Sequence, residues 1–272
     1  MKISGKLNSE PLTLALEVET FEPKKIFIKL YDQENPLTVF TDRFATVDGV
    51  QTFYIRLPLS PQISTLEIST DPQFKPAIGG NKFKVVSINK LPLKRKLGAF
   101  NYASDVVKNF IRFAEKFCLR ASYISAKGSI YTSNDGQFRI DYLDDIIGDS
   151  GKSLNTPARI NRHTGIIQVS KKKFLEYTVP MRMAILLHEF AHFYLNNDMS
   201  NETESDLNAL LIYLGMGYPR IDAYNVFCTV FASSNNMANK ERIDIIDKFI
   251  RNFEKTYIDM NYSNDNLYQN YK

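Results

Sequence analysis

The feature that most restricts what this chain can fold into is a stretch over about residues 179–196. Its centre, Met183 to Leu187 and Phe190 to Leu195, is apolar on nearly every helical face and broken by polar side chains at only three positions. A helix of that kind offers no side to water, so other elements have to cover it all round. Thr178 stands where an N-cap belongs, and Pro180 falls in the first turn.

The covering elements are read from the flanks. Leu12–Val18, Lys25–Leu30, Thr52–Leu57 and Lys82–Val86 alternate with period two. Turn residues separate them: Glu22-Pro23, Glu34-Asn35-Pro36, Asp48-Gly49, Pro58 with Pro61, Asp71-Pro72 and Gly79-Gly80. Seven or so short strands at this spacing predict a small β-sandwich over residues 1–92. It holds no His and no Cys and its acidic residues are scattered, so a docking or structural role is expected.

Past a boundary at Leu91–Gly98, where Lys94-Arg95-Lys96 reads as solvated linker, the period changes. Tyr102, Val106, Phe110, Phe113 and Phe117 step by three and four, which predicts an amphipathic helix over 101–120. Ser133-Asn134-Asp135-Gly136 reads as a hairpin turn between strands near 128–133 and 137–142. Ile166–Ser170 reads as a further strand and Lys171-Lys172-Lys173 as its solvated end. Helices are expected from Ser200 or Asn201 to about Leu214, near 219–233 and near 239–258. The fold class is therefore α+β: an N-terminal all-β sandwich, an α+β domain over 99–260, and a polar tail over 261–272. Gly79-Gly80-Asn81-Lys82 lacks the strand and helix context of a phosphate loop.

A net charge of +4, from 34 Lys and Arg against 30 Asp and Glu, gives no reason to propose nucleic acid or an anionic membrane as partner. No apolar run approaches the roughly 18 residues of a membrane span. Polar residues rather than a secretory core follow Met1–Lys6, so a cytoplasmic location is expected. Cys118 and Cys228 fall in apolar helix-like stretches and are expected as reduced core thiols.

The three interruptions of the apolar helix are His188, Glu189 and His192, two of them among only three His in the chain. Residues four apart share a helical face, so both imidazoles can converge on one ion. Two neutral imidazoles with a carboxylate and a water suit tetrahedral zinc. Glu189, rotated by about 100° from His188, can reach a water beside the ion, as a general base must. Two His and one Glu in an apolar helix would otherwise carry heavy desolvation costs.

Downstream stands Asn201-Glu202-Thr203-Glu204-Ser205-Asp206. With His188-Glu189-Phe190-Ala191-His192 it resembles the gluzincin metallopeptidases, in which HExxH is followed by NExxSD or ExxxD on a second helix. The resemblance covers about 30 residues, with looser agreement over 101–195, and implies a zincin-like domain. It implies that Glu202 is the third zinc ligand and that Asp206 supports a zinc-binding His from behind. Only nine residues separate His192 from Glu202, so a tight helical hairpin is required. Glu204 is the rival ligand, although with Asn201 as N-cap it also forms a capping box.

The implied activity is zinc-dependent endopeptidase, with Glu189 as base and a protein or peptide substrate extended along an edge strand, for which Ile166–Ser170 is the candidate. Tyr213 is expected as a core residue and His163 as a turn residue. The competing expectation is a non-proteolytic assembly subunit, for example of a phage particle, with zinc as a staple. In that reading the sandwich and the tail would contact protein partners.

Overall fold

The computed structural model describes residues 1–75, 82–95, 104–126, 129–227 and 237–261. It is a mixed α and β structure: one antiparallel five-stranded sheet, then a second, four-stranded sheet among helices. The first sheet comprises β1 (Lys2–Lys6), β2 (Leu12–Asp32), β3 (Val39–Leu57), β4 (Ile63–Ser69) and β5 (Lys84–Pro92). Its order is β1-β4-β2-β3, with β5 also on β2.

The seven short strands expected in a sandwich are thus five strands in one hydrogen-bonded sheet. Two expected turns are absent because their residues face each other within one long hairpin. Thr20 pairs with Gly49 and Lys24 with Val47, so residues 21–23 of β2 bulge opposite residue 48 alone. Pro23, which has no N–H to give a ladder, falls in that bulge and breaks no pairing. Gly49 takes a positive φ of 72° there, a conformation open to glycine. The hairpin is continuous, and each half carries a different neighbour: Leu12–Glu19 pairs with β5, Phe27–Asp32 with β4. β5 also runs through Leu91 and Pro92, into what the sequence suggested was linker.

Next comes α1 (Asp105–Arg120), capped by the Ser104 hydroxyl, which accepts from Val107 N. The second sheet contains β6 (Ser129–Thr132), β7 (Arg139–Leu143), β8 (Ala158–Ile160) and β9 (Ile167–Ser170), in the order β6-β7-β9-β8. The turn between β6 and β7 is the expected one, with Gly136 at φ 73°. Ile167–Ser170 is an inner strand, parallel to β7 and antiparallel to β8, so it is not the edge that its sequence suggested. The edges are β6 and β8, and β8, the one beside α3, is three residues long and too short for alternation to betray it. Lys171–Lys173 likewise differs from expectation: it begins a single helical turn, α2 (Lys171–Phe174), capped by Ser170.

α3 (Val179–Tyr194) is the apolar helix, capped by Thr178 as expected and buried at nearly every position from Val179 to His192. α4 (Glu202–Gly215), α5 (Arg220–Val226) and α6 (Met237–Asn261) follow. α3 touches α1, α4, α5, β8 and β3. The Phe110 ring of α1 stacks on Phe190 of α3 at 4.0 Å and 12°, and Phe138 meets both edge-on. Such ring pairs add about 0.5–1.5 kcal/mol beyond the area they bury.

One apolar core runs from β2 and β3 through α1 to α3 and α4. Polar ties accompany it. Asn35 Nδ2 donates to Ser122 O at 3.2 Å, the Thr38 and Ser122 hydroxyls meet, and Tyr123 OH donates to Asp32 Oδ2 at 2.8 Å. Arg182 of α3 is fully buried and donates to Leu37 O at 3.0 Å, Phe174 O at 3.1 Å, Leu175 O at 3.4 Å and Cys118 O at 3.5 Å. Phe174 and Cys118 lie at the C-terminal ends of α2 and α1, where the helix dipole favours a cation.

Tyr213 is a core residue as expected, its hydroxyl donating to Pro219 O. Cys118 is a buried free thiol, whereas Cys228, Gly79-Gly80 and the tail over 262–272 lie outside the described residues. No described helix is long and apolar enough to cross a membrane.

Candidate metal centre

α3 ends at Tyr194 and α4 starts at Glu202, so the hairpin that the nine-residue spacing required is present. Asn201 caps α4 by accepting from Glu204 N at 3.0 Å. Glu204 Oε1 accepts from Asn197 N at 3.1 Å, so the rival carboxylate is committed to holding the connection. Glu202, one position into the helix, is carried over the His pair instead.

His188 Nε2 and His192 Nε2 stand 3.1 Å apart, and Glu202 Oε2 lies 3.4 Å from the first and 3.6 Å from the second. Tetrahedral zinc with bonds of 2.0–2.2 Å needs donors about 3.3–3.6 Å from one another. The two separations to Glu202 fall in that range and the one between the imidazoles is about 0.2 Å short of it, and the donor set, two imidazoles and a carboxylate, is one that zinc takes. Among the described residues, His188, His192 and Glu202 form the one group of His, Cys, Asp and Glu that could hold a metal ion. Both His are buried, and the Glu202 side chain is 42% exposed, which leaves the centre a face towards solvent.

Behind the donors stands a set of partners. Asp206, fully buried one turn after Glu202, places Oδ1 3.0 Å from His188 Nδ1, a charge contact off the line of a good hydrogen bond. Arg242 of α6 closes on the other Asp206 oxygen, Nε at 2.9 Å and Nη2 at 2.7 Å, and its Nη2 lies 3.6 Å from Glu202 Oε2. Arg162 Nη2 approaches Glu202 Oε1 at 3.4 Å. Burial by itself would lower the His188 pKa, but the Asp206 and Glu202 carboxylates outweigh it and raise it to about 9. The reciprocal effect appears on Glu202: burial opposes ionisation, yet the two imidazoles hold its carboxyl well below the ordinary value.

Glu189, beside His188 on the same helix, reaches the second sheet, where Oε2 accepts the Ile160 N–H at 2.8 Å. Burial pushes its carboxyl up from the ordinary value, against the pull of both imidazoles and that N–H. The bond is possible because of the register of β8. Asn161 N donates to Ile166 O and Ser170 N to Pro157 O, so odd-numbered positions face β9. The backbone groups of Ala158 and Ile160 therefore face outward, along the side on which Glu189 lies.

All five residues singled out in the sequence thus meet here: His188, His192 and Glu202 as a triangle, Asp206 behind His188, Glu189 beside the edge strand. His163 lies exposed in the turn after β8. Sequence reasoning did not find Arg242, Arg162 or the Ile160 N–H, because no spacing rule connects them to the motif. Comparison of this chain with family models, with curated proteins and with solved structures finds no match in any of the three.

Proposed function

We propose that this chain is a zinc-dependent endopeptidase of gluzincin type, built on a zincin-like domain. The observation that carries the reading is the triangle of His188 Nε2, His192 Nε2 and Glu202 Oε2, with a carboxylic acid on the next residue of the same helix. His188, His192 and Glu202 would hold the ion. When bound, zinc supplies Lewis acidity, bringing the pKa of a water to roughly 7 and polarising a carbonyl.

The remaining work falls to the chain's own groups. Asp206 fixes His188, and Arg242 fixes Asp206. Glu189 takes the water's proton at a carboxylate oxygen and delivers it to the leaving amine, a role that suits a carboxyl raised by burial. An extended peptide would pair with the outward groups of β8 other than the Ile160 N–H, which Glu189 holds, and the Ala158 carbonyl, which accepts from Thr156; β8 replaces Ile166–Ser170 as the edge available to a substrate. The test is a mass-spectrometric digest of a diverse peptide library, with zinc-loaded protein against Glu189→Gln. Cleavage by the first and none by the second supports the reading. Equal cleavage by both would remove Glu189 from the chemistry.

A second reading has an observation of its own. Glu189 Oε2 already satisfies the Ile160 N–H, so the residue has a structural task without catalysis. In an assembly subunit the ion would staple α3 to α4 and Glu189 would tie α3 to β8. Zinc bound, with no peptide cleaved by either protein, favours that reading.

A further inference from the structure

The two imidazoles of the centre are supported in different ways: His188 has the Asp206 carboxylate behind it, and His192 has a backbone carbonyl and the hydroxyl of Ser205. His192 Nδ1 has two neighbours, Met199 O and Ser205 Oγ, each at 2.9 Å. A carbonyl oxygen only accepts, so the first contact needs a proton on Nδ1. The hydroxyl is committed as well. Ser205 Oγ donates its single proton to Asn201 O at 3.2 Å and accepts from Asn196 Nδ2 at 2.7 Å. What it has left for His192 is a lone pair, so it too accepts from Nδ1.

Both acceptors are themselves held in place. The Met199–Ser200 peptide is pinned at its two ends: Ser200 N donates to Asp198 Oδ1 at 2.8 Å, and the carbonyl meets His192. Asn196 spans the hairpin, giving Nδ2 to Asn201 O at 3.0 Å while its Oδ1 accepts from Asn208 Nδ2 at 3.0 Å. Ser205 is fully buried, so water does not substitute for its hydroxyl.

We infer that Ser205, with Asn196 behind it, is a positioning residue that locks His192 in the Nδ1–H tautomer and so presents the Nε2 lone pair to the ion. This rests on the metal-site reading above and goes beyond it. The connection between α3 and α4 is short because its own backbone supplies the acceptor that orients the second imidazole. His188 instead has a carboxylate, Asp206, 3.0 Å behind its Nδ1. A tautomer fixed by neutral groups adds no charge behind the centre, whereas Asp206 adds one.

The test has two arms. Nitrogen-15 NMR of imidazole-labelled, metal-free protein reads the tautomer directly. The expected result is His192 as Nδ1–H in the wild type, and a larger Nε2–H fraction in Ser205→Ala, where the Met199 carbonyl alone is left to hold it, with His188 unchanged. Zinc titration against a chromophoric chelator is expected to show about a 10–100-fold loss of affinity in Ser205→Ala, the range for groups that support a ligand. A smaller loss is expected in Asn196→Ala, where the hydroxyl remains. Wild-type His192 found as Nε2–H overturns the inference outright, whatever the variants do. So does Ser205→Ala with an unchanged tautomer and unchanged zinc affinity. Wild-type protein that binds no zinc but shows the Nδ1–H tautomer would sink the metal reading and leave the tautomer assignment standing.

Discussion

The first sheet and the α3–α4 hairpin both bury polar groups, but of different kinds. In the sheet these are mostly hydroxyls: Thr13, Thr20, Thr41, Ser64, Thr65 and Ser69, with Ser60 in the connection between β3 and β4 and Glu67 in β4. Several bond to nearby backbone: Thr20 Oγ1 donates to Val47 O at 3.0 Å and Ser60 Oγ to Glu10 O at 2.8 Å. In and behind the hairpin they are mostly ionisable: Arg182, His188, Glu189, His192 and Asp206, with the hydroxyl of Ser205 among them. A neutral hydroxyl with one partner costs the core little, whereas a buried charge needs several partners or an ion. The contrast teaches where chemistry can reside. The sheet can lose any one of its polar groups and stay a sheet; the hairpin's polar groups depend on each other.

The most severe break of that dependence is His188→Ala. Losing one of the three proposed ligands should cost more than the 10–100-fold of a supporting group, so zinc affinity is expected to fall by more than about 1,000-fold. Equilibrium dialysis reads this, and full occupancy in the variant would remove His188 from the ligand set.

Arg182→Met comes next. The carbonyls of Leu37, Phe174, Leu175 and Cys118 would lose a buried donor, and each unsatisfied group costs about 1–3 kcal/mol. Some relaxation is expected, so the loss of stability in urea should be about 3–5 kcal/mol. Burial lowers the Arg182 pKa to about 10, which still leaves it charged at neutral pH. A loss under about 1 kcal/mol would mean that the carbonyls find other donors.

Asp222, in the first turn of α5, sharpens the contrast from the other direction, because here a charge is buried with too little support. Burial raises its pKa from 3.8 to about 6, against the Thr178 hydroxyl that donates to it at 2.9 Å and the charge of Arg43. The folded state therefore holds the proton more tightly than the unfolded chain. That contribution to stability is complete below pH about 4, falls as pH rises to about 6, and is absent above. Asp222→Asn should remove the slope, keep an acceptor for Thr178, and stabilise the protein at pH 7.5 by about 2–3 kcal/mol relative to pH 4. Identical urea midpoint shifts at both pH values would contradict this.

In the sheet, Thr20→Val is expected to cost about 1 kcal/mol through one lost hydrogen bond and to leave zinc affinity unchanged. A change in affinity would show that the two regions are coupled more tightly than their shared core suggests.

Much of the site could be read from the sequence, and particular residues show why. Two His four apart in an apolar helix are costly unless something binds them, so His188, Glu189 and His192 stand out locally. Thr178 and Asn201 identify the helix starts because capping is local chemistry as well. The fold of the first sheet was harder to read. Pro23 and Gly49 carry turn chemistry in isolation, and only their opposition across one hairpin turns two breaks into one bulge. The identity of the edge strand depends on which strand pairs with which, information that Ile167–Ser170 does not contain. Arg242 reaches Asp206 from 36 positions away along an amphipathic helix, where one more arginine carries no signal. Arg182 is the sharper case: a cation in the first turn of a helix ordinarily reaches water, and here the ends of α1 and α2 close over it.

The central claim is that one ion sits between α3 and α4, and zinc anomalous diffraction from crystals of the zinc-loaded chain tests it most directly. The account predicts a single strong site about 2.0–2.2 Å from His188 Nε2, His192 Nε2 and a Glu202 oxygen, with Glu189 outside the bonding distance. Zinc held elsewhere, or bonded by Glu189 or Glu204 in place of Glu202, would contradict it.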